Sequence, residues 1–275
     1  MQHEITVGIA SNDNPEGLNL TLSSLINQTI TPSRILLRLD GTFKPDFYFN
    51  QLLNTAKFLG INVDVIYRRA NGVRTAREDL LNNCHSDWLW MLDDDCLVSP
   101  DCLEVFLETL KKHRHKLPSS LGYVCGSKGD VANLRGYGNF DLTLKSDPSS
   151  DTDAGCFNHF YNSNYRNKYY PTKTLDTGHV FIQMPFVRAD NLSFVAHRTY
   201  NCGGEDTLFA AQFAEAGYQG FVFTGCRVYH LEKPKVRFNE FAARKAYVRE
   251  VALTKIGLTQ EQWEAIDKEF MPWVK

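Results

Sequence analysis

Within its first 95 residues the chain has four short apolar runs, and three of them pass directly into a stretch of helical period. Residues 5–10, 34–39, 63–67 and 88–92 are rich in Ile, Val, Leu and Trp and read as strands. Each of the first three leads into a helical stretch, over residues 15–27, 46–59 and 73–83. Asn14 caps the first with Pro15 at its opening position, and Gly60 closes the second. Strands that are apolar throughout, joined by helices, require a sheet covered on both faces. The expected class is therefore α/β, a mostly parallel sheet flanked by helices in an α/β/α sandwich. A further helix is expected over residues 100–116, with Ser99 as its cap, and a strand over 123–127.

The regular pattern lapses over residues 128–171, where Gly, Asn, Asp, Ser and Tyr predominate, and a hairpin with a long loop is expected there. Its segment FNHFYNSNYRNKYYP suits either a loop that closes over a substrate or plain surface packing. Regular structure is expected again as strands at 177–183, 221–223 and 228–230, a helix at 205–216, and a helical stretch from 236 onward. The simplest partition is one domain over 1–275, with a ligand-binding half (1–127), a second half (128–235) and a C-terminal helical segment (236–275).

A formal net charge of -2 and a pI near 6.4 provide no attraction for a polyanion, so nucleic acid is not an expected partner. Seven scattered cysteines without a Cys-x-x-Cys pair suit a reducing, cytoplasmic setting. No apolar run reaches membrane-spanning length, leaving at most contact with the inner membrane surface. The basic run from Lys111 to Lys116 fits the C-terminal end of a helix, where cations complement the dipole.

Ligands of open parallel sheets bind beyond the carboxyl ends of the strands, and Asp40 and the run Asp93-Asp94-Asp95 fall there. Three adjacent carboxylates repel one another, which a hard divalent cation bridging a diphosphate relieves. A solvated acidic turn is the other reading of the triplet. Gly203-Gly204 permits a close backbone approach before Glu205 and Asp206, which open a helix whose dipole favours ionised carboxylates. Arg68, Arg69, Arg74 and Arg77 cluster between the third strand and third helix, where guanidinium groups can clamp phosphate or line a solvated face.

The ordered set ITVGIAS, LRLDGT, NGVRTARED, MLDDDC, GGEDTLFAAQFAEAGY and VYHLEKP, across residues 4–232, resembles glycosyltransferase family 2 with its Rossmann-like GT-A fold. The resemblance implies inverting transfer from a nucleotide-sugar donor with Mn²⁺ or Mg²⁺. It implies that Ala10, Asp40, Arg77, Asp93 and Asp94 line the donor, Asp40 on the base (usually uracil) and Arg77 on the diphosphate. Asp95 would ligate the metal, with His230 as a third-ligand position and His179 as its alternative. Asp206 would be the general base and Glu205 a binder of a sugar hydroxyl. The GGED segment is also similar to galactosyl- and N-acetylgalactosaminyltransferases, implying a galactose-type donor. A glycan, a lipid-linked sugar or a protein is the implied acceptor. Metal-dependent nucleotidyl transfer would call for a Gly-rich phosphate loop where this chain has SNDNPEG, and a non-catalytic binding module would not need the full acidic set.

Overall fold

The structure, a computed structural model, describes residues 4–69, 72–130, 169–172, 175, 177–195, 205–231 and 259–261. The expected β/α alternation is present. β1 (Ile5–Ser11), α1 (Pro15–Ile26), β2 (Arg34–Asp40), α2 (Phe47–Phe58), β3 (Asn62–Arg68), α3 (Val73–Asn83) and β4 (Trp88–Asp93) follow in order. β3, β2, β1 and β4 lie side by side, all parallel.

The second half reverses direction. Beyond β5 (Cys96–Val98), α4 (Cys102–His113), β6 (Leu121–Asp130) and β7 (Tyr169–Thr172), strand β8 (His179–Gln183) pairs antiparallel to both β4 and β6. α5 (Met184–Ala189) and α6 (Glu205–Glu215) lead to β9 (Gln219–His230), one continuous strand where the sequence suggests two. β9 runs parallel to β6 along one edge, while its other edge is shared by β7 near its start and β5 at its end. The nine-stranded sheet is therefore mixed, with the order β3-β2-β1-β4-β8-β6-β9-β5 and β7 on β9.

Side chains alternate between two apolar layers, as the two-residue period of a strand demands. Trp88, Trp90 and Leu92 face α1, α2 and α4 in one layer, through Leu18, Leu22, Phe49 and Phe106. Leu89 and Met91 face α3, α5 and α6 in the other, through Leu80, Val187, Phe209 and Phe213. Gly8 sits where α3 crosses β1: a Cβ there would lie 2.8 Å from Leu89 Cδ1 and 3.4 Å from Leu80 Cδ1, so its absence lets α3 settle closely on the sheet.

Three local expectations change. α4 starts at Cys102 behind Asp101, not at residue 100 behind Ser99; Ser99 Oγ instead donates to the Asp101 carboxylate at 2.8 Å. β5 and α5 carry no local periodic signal, being three and six residues long, and exist because β9 and the sheet face receive them. Residues 131–168 and the segment from 236 lie outside the described residues, apart from 259–261; residues 169–171, expected as the end of the loop, belong to β7.

Candidate active site

Asp93 is the last residue of β4 and stands in register with Ala10 of β1, so both occupy the carboxyl end of the parallel strands. Asp40 closes β2 in the same position, opposite Arg68 of β3. After Asp93 the chain turns and enters β5, which pairs antiparallel with the end of β9, Cys96 opposite His230. The Leu231 N–H donates to Asp95 O at 2.8 Å and closes this pairing. His230 is thereby delivered to the acidic turn: its Nε2 lies 3.0 Å from Asp95 Oδ1 and 4.0 Å from Asp93 Oδ2.

Asp93, Asp95 and His230 each present one ligand atom, and all three atoms lie within 4.8 Å of one another. A hard divalent ion binds oxygen and nitrogen at about 2.1 Å, which puts adjacent ligands roughly 3 Å apart. The Asp95–His230 separation matches that, and the wider Asp93 separation leaves Asp93 able to close in. Two carboxylates and an imidazole, mostly buried but with Asp93 still 31% accessible, could hold a hard divalent cation with open positions for a ligand.

Asp94 faces the other way. Its Oδ2 accepts from Ser11 Oγ at 2.6 Å and its carboxylate also accepts from the Asn14 side chain. Burial pushes it up to about 6, outweighing those two hydrogen bonds, with the neighbouring Asp95 and Asp93 charges adding to the rise. Gly17 belongs to the same contact: a Cβ there would meet Asn14 Nδ2 at 2.3 Å and Asp94 O at 2.8 Å. Of the three aspartates, the outer two form the cluster and the middle one anchors the turn to the start of α1.

Glu205 and Asp206 open α6, and the buried Arg77 of α3 reaches across to them. Arg77 Nη1 donates to Glu205 Oε1, and Nη2 donates to Asp93 Oδ1 at 3.0 Å. Burial alone would lower the Arg77 pKa, but Glu205, Asp93 and Asp206 together raise it above its usual value. The second Glu205 oxygen, Oε2, is buried with no hydrogen-bond partner among the described residues. Glu205, Asp206, Arg77, Asp93, Asp95 and His230 thus converge. The sequence contains no signal that Arg77 would meet carboxylates; its spacing and type equally suit phosphate.

His179 has a structural role. Trp90 Nε1, which can only donate, gives its hydrogen to His179 Nδ1 at 3.1 Å. Nε2 must then carry the hydrogen, and it lies 3.1 Å from Cys226 O as a donor. Gly126 makes the space: a Cβ there would sit 1.8 Å from His179 Nε2. Both ring nitrogens are used, and His230, not the alternative His179, is the histidine that stands beside Asp93 and Asp95. Arg68, one of the four clustered arginines, binds Asp79 Oδ1 at 2.5 Å and remains 59% exposed.

Comparison with known proteins decides the class. The model for glycosyl transferase family 2 matches residues 6–182, well over half of the chain. The chain belongs to glycosyltransferase family 2. Solved structures of S. aureus TarS share the fold of this family 2 chain. TarS 1–349 in complex with UDP-GlcNAc has 14% identity and a TM-score of 0.61, over 97% of this chain and 71% of that one. TarS 1–349 in complex with UDP has 13% identity and a TM-score of 0.60, over 97% and 70%. Against the longer TarS chain, at 15% identity and a TM-score of 0.59, this family 2 chain spans 42% of the length. No curated protein matches by sequence. The protein is thus a glycosyltransferase with a GT-A type fold, and among the described residues no helix is long and apolar enough to cross a membrane.

Proposed function

We propose that this glycosyltransferase moves a sugar, with inversion, from a uridine diphosphate sugar to a hydroxyl of a glycan, lipid-linked or protein acceptor. The convergence of Asp93, Asp95 and His230 at the carboxyl ends of the parallel strands carries this reading, because that is where a doubly wound sheet receives a nucleotide. The UDP and UDP-GlcNAc complexes of TarS, which has the same fold, favour a uridine donor. The GGED segment adds a galactose-type sugar as the form to test first. We place the reaction in a reducing, cytoplasmic compartment, in keeping with five buried free cysteines among the described residues.

Asp93, Asp95 and His230 would hold a divalent cation, which would supply Lewis-acid neutralisation of the leaving diphosphate. Ala10 and Asp40, near the carboxyl ends of β1 and β2, are the residues we assign to the nucleoside. Asp206, in the first turn of α6 where the dipole favours negative charge, takes the proton from the acceptor hydroxyl as its oxygen forms the new glycosidic bond and the diphosphate leaves. A single base acting opposite the leaving group gives inversion. Glu205 Oε2 is available to accept a hydrogen bond from a sugar hydroxyl.

The test is thermal stability in UDP, GDP, CDP, dTDP and ADP, each with and without Mn²⁺. A ligand at about 100 times its Kd stabilises by roughly 2.7 kcal/mol. A Mn²⁺-dependent shift for UDP, followed by turnover of one sugar in a panel of UDP-galactose, UDP-N-acetylgalactosamine, UDP-glucose and UDP-GlcNAc, supports the proposal. No shift with any nucleotide overturns it.

A further inference from the structure

Arg77 divides its two terminal nitrogens between two carboxylates that come from distant parts of the chain. One is Asp93, at the end of β4; the other is Glu205, the first residue of α6. Arg77 is only 7% exposed, and Glu205 8%. A buried charge needs compensation on this scale, and a planar fork fixes both the distance and the angle between the groups it joins. Asp93 is shared: Oδ1 receives Arg77 while Oδ2 faces His230 at 4.0 Å.

We propose that Arg77 is a positioning residue for transfer: it ties the first turn of α6, and Asp206 with it, to the cation-binding carboxylate Asp93, and its partners are these carboxylates, not the diphosphate. The inference rests on the function proposed above. It has a geometric and an electrostatic consequence, which point in different directions. Geometrically, the tie sets where Asp206 stands relative to the cation group, so loosening it slows proton removal without weakening the donor's own contacts. Electrostatically, a cation held against Asp93 offsets one of the two negative charges offered to Mn²⁺, so Arg77 holds the site's affinity for a dication down. Lysine retains the charge but, as a compact point charge, cannot span both carboxylates in the way the fork does. Methionine removes the charge and keeps much of the length.

The experiment measures, on the full chain, the Mn²⁺ dissociation constant by electron paramagnetic resonance and the steady-state kinetics with the UDP-sugar found above, for wild type, R77K, R77M and E205Q. For R77K, kcat should fall by about 100-fold, the cost of a small misplacement at a reacting centre, while donor KM and Mn²⁺ affinity stay close to wild type. For R77M, Mn²⁺ should bind several-fold more tightly although transfer is lost. E205Q should lower kcat to a similar extent, and combining it with R77K should add little, because both cut the same tie.

R77K with normal kcat and a raised donor KM would place Arg77 on the diphosphate and overturn the inference. R77K with normal kcat and KM but a lowered Tm would leave a purely structural ion pair, and would overturn it as well. A wild-type protein that neither binds Mn²⁺ nor transfers would instead refute the proposed function. Where wild type binds Mn²⁺ but no donor turns over, R77M decides: tighter Mn²⁺ binding supports the inference, and unchanged or weaker binding overturns it.

Discussion

His230 Nε2 lies 3.0 Å from Asp95 Oδ1 because Cys96, the residue after Asp95, stands opposite His230 where β5 pairs with β9. A three-residue strand thus brings Asp93, Asp95 and His230 together, and the proposed cation role of that group can be tested residue by residue.

Replacing Asp95 by Asn, or His230 by Ala, removes one of the three groups proposed as cation ligands. Either variant should abolish the Mn²⁺-dependent part of the UDP thermal shift, a loss of about 2.7 kcal/mol at 100 times the wild-type Kd. Differential scanning fluorimetry with and without Mn²⁺ reads this directly. An unchanged shift in both variants would remove them from the cation group.

Asp94 gives the contrasting case. Because its carboxylate is engaged by Ser11 and Asn14, Asp94→Asn should keep the Mn²⁺-dependent UDP shift and lose less than about tenfold in transfer, equivalent to about 1.4 kcal/mol. Loss of the shift as complete as in Asp95→Asn would show that the middle aspartate also reaches the cation.

Asp206→Asn should separate binding from chemistry. Loss of a general base costs about 10²- to 10⁴-fold in rate, so kcat should fall by that range while donor KM changes little. An Asp206→Asn enzyme with wild-type kcat would require another base.

Gly126→Ala tests the structural reading of His179. A methyl group 1.8 Å from Nε2 must displace the imidazole from both Trp90 and Cys226 O, and overpacking of this kind costs roughly 1–3 kcal/mol. Urea unfolding should show that loss. In contrast, His179→Gln should destabilise the fold yet retain the Mn²⁺-dependent UDP shift; a variant that folds but no longer responds to Mn²⁺ would restore His179 as a ligand.

The β/α alternation of the first half is written locally. Apolar runs of strand length, Asn14 and Pro15 at one helix start, and Gly60 at positive φ after another are short-range signals, and they fix the parallel half of the sheet to within a residue or two. The acidic triplet at a strand end and the carboxylates opening α6 are equally visible, because residue type and the strand-to-turn boundary suffice to mark them.

Which groups meet is a different matter. Asp93 and Asp95 share a face while Asp94 turns to Ser11, a division set by the direction of the turn and the proximity of α1. His230 reaches the site and His179 does not, although both are single histidines on strands, because β5 receives the end of β9 while Gly126 leaves His179 room among Trp90, Cys102 and Cys226. Arg77 meets Asp93 and Glu205 only once α3 and α6 are packed on the same face of the sheet. Local sequence determined the alternating strands and helices up to β4 and the chemistry available; long-range strand pairing and helix packing, which no short window encodes, decided the short elements β5, β7 and α5 and which side chains became partners.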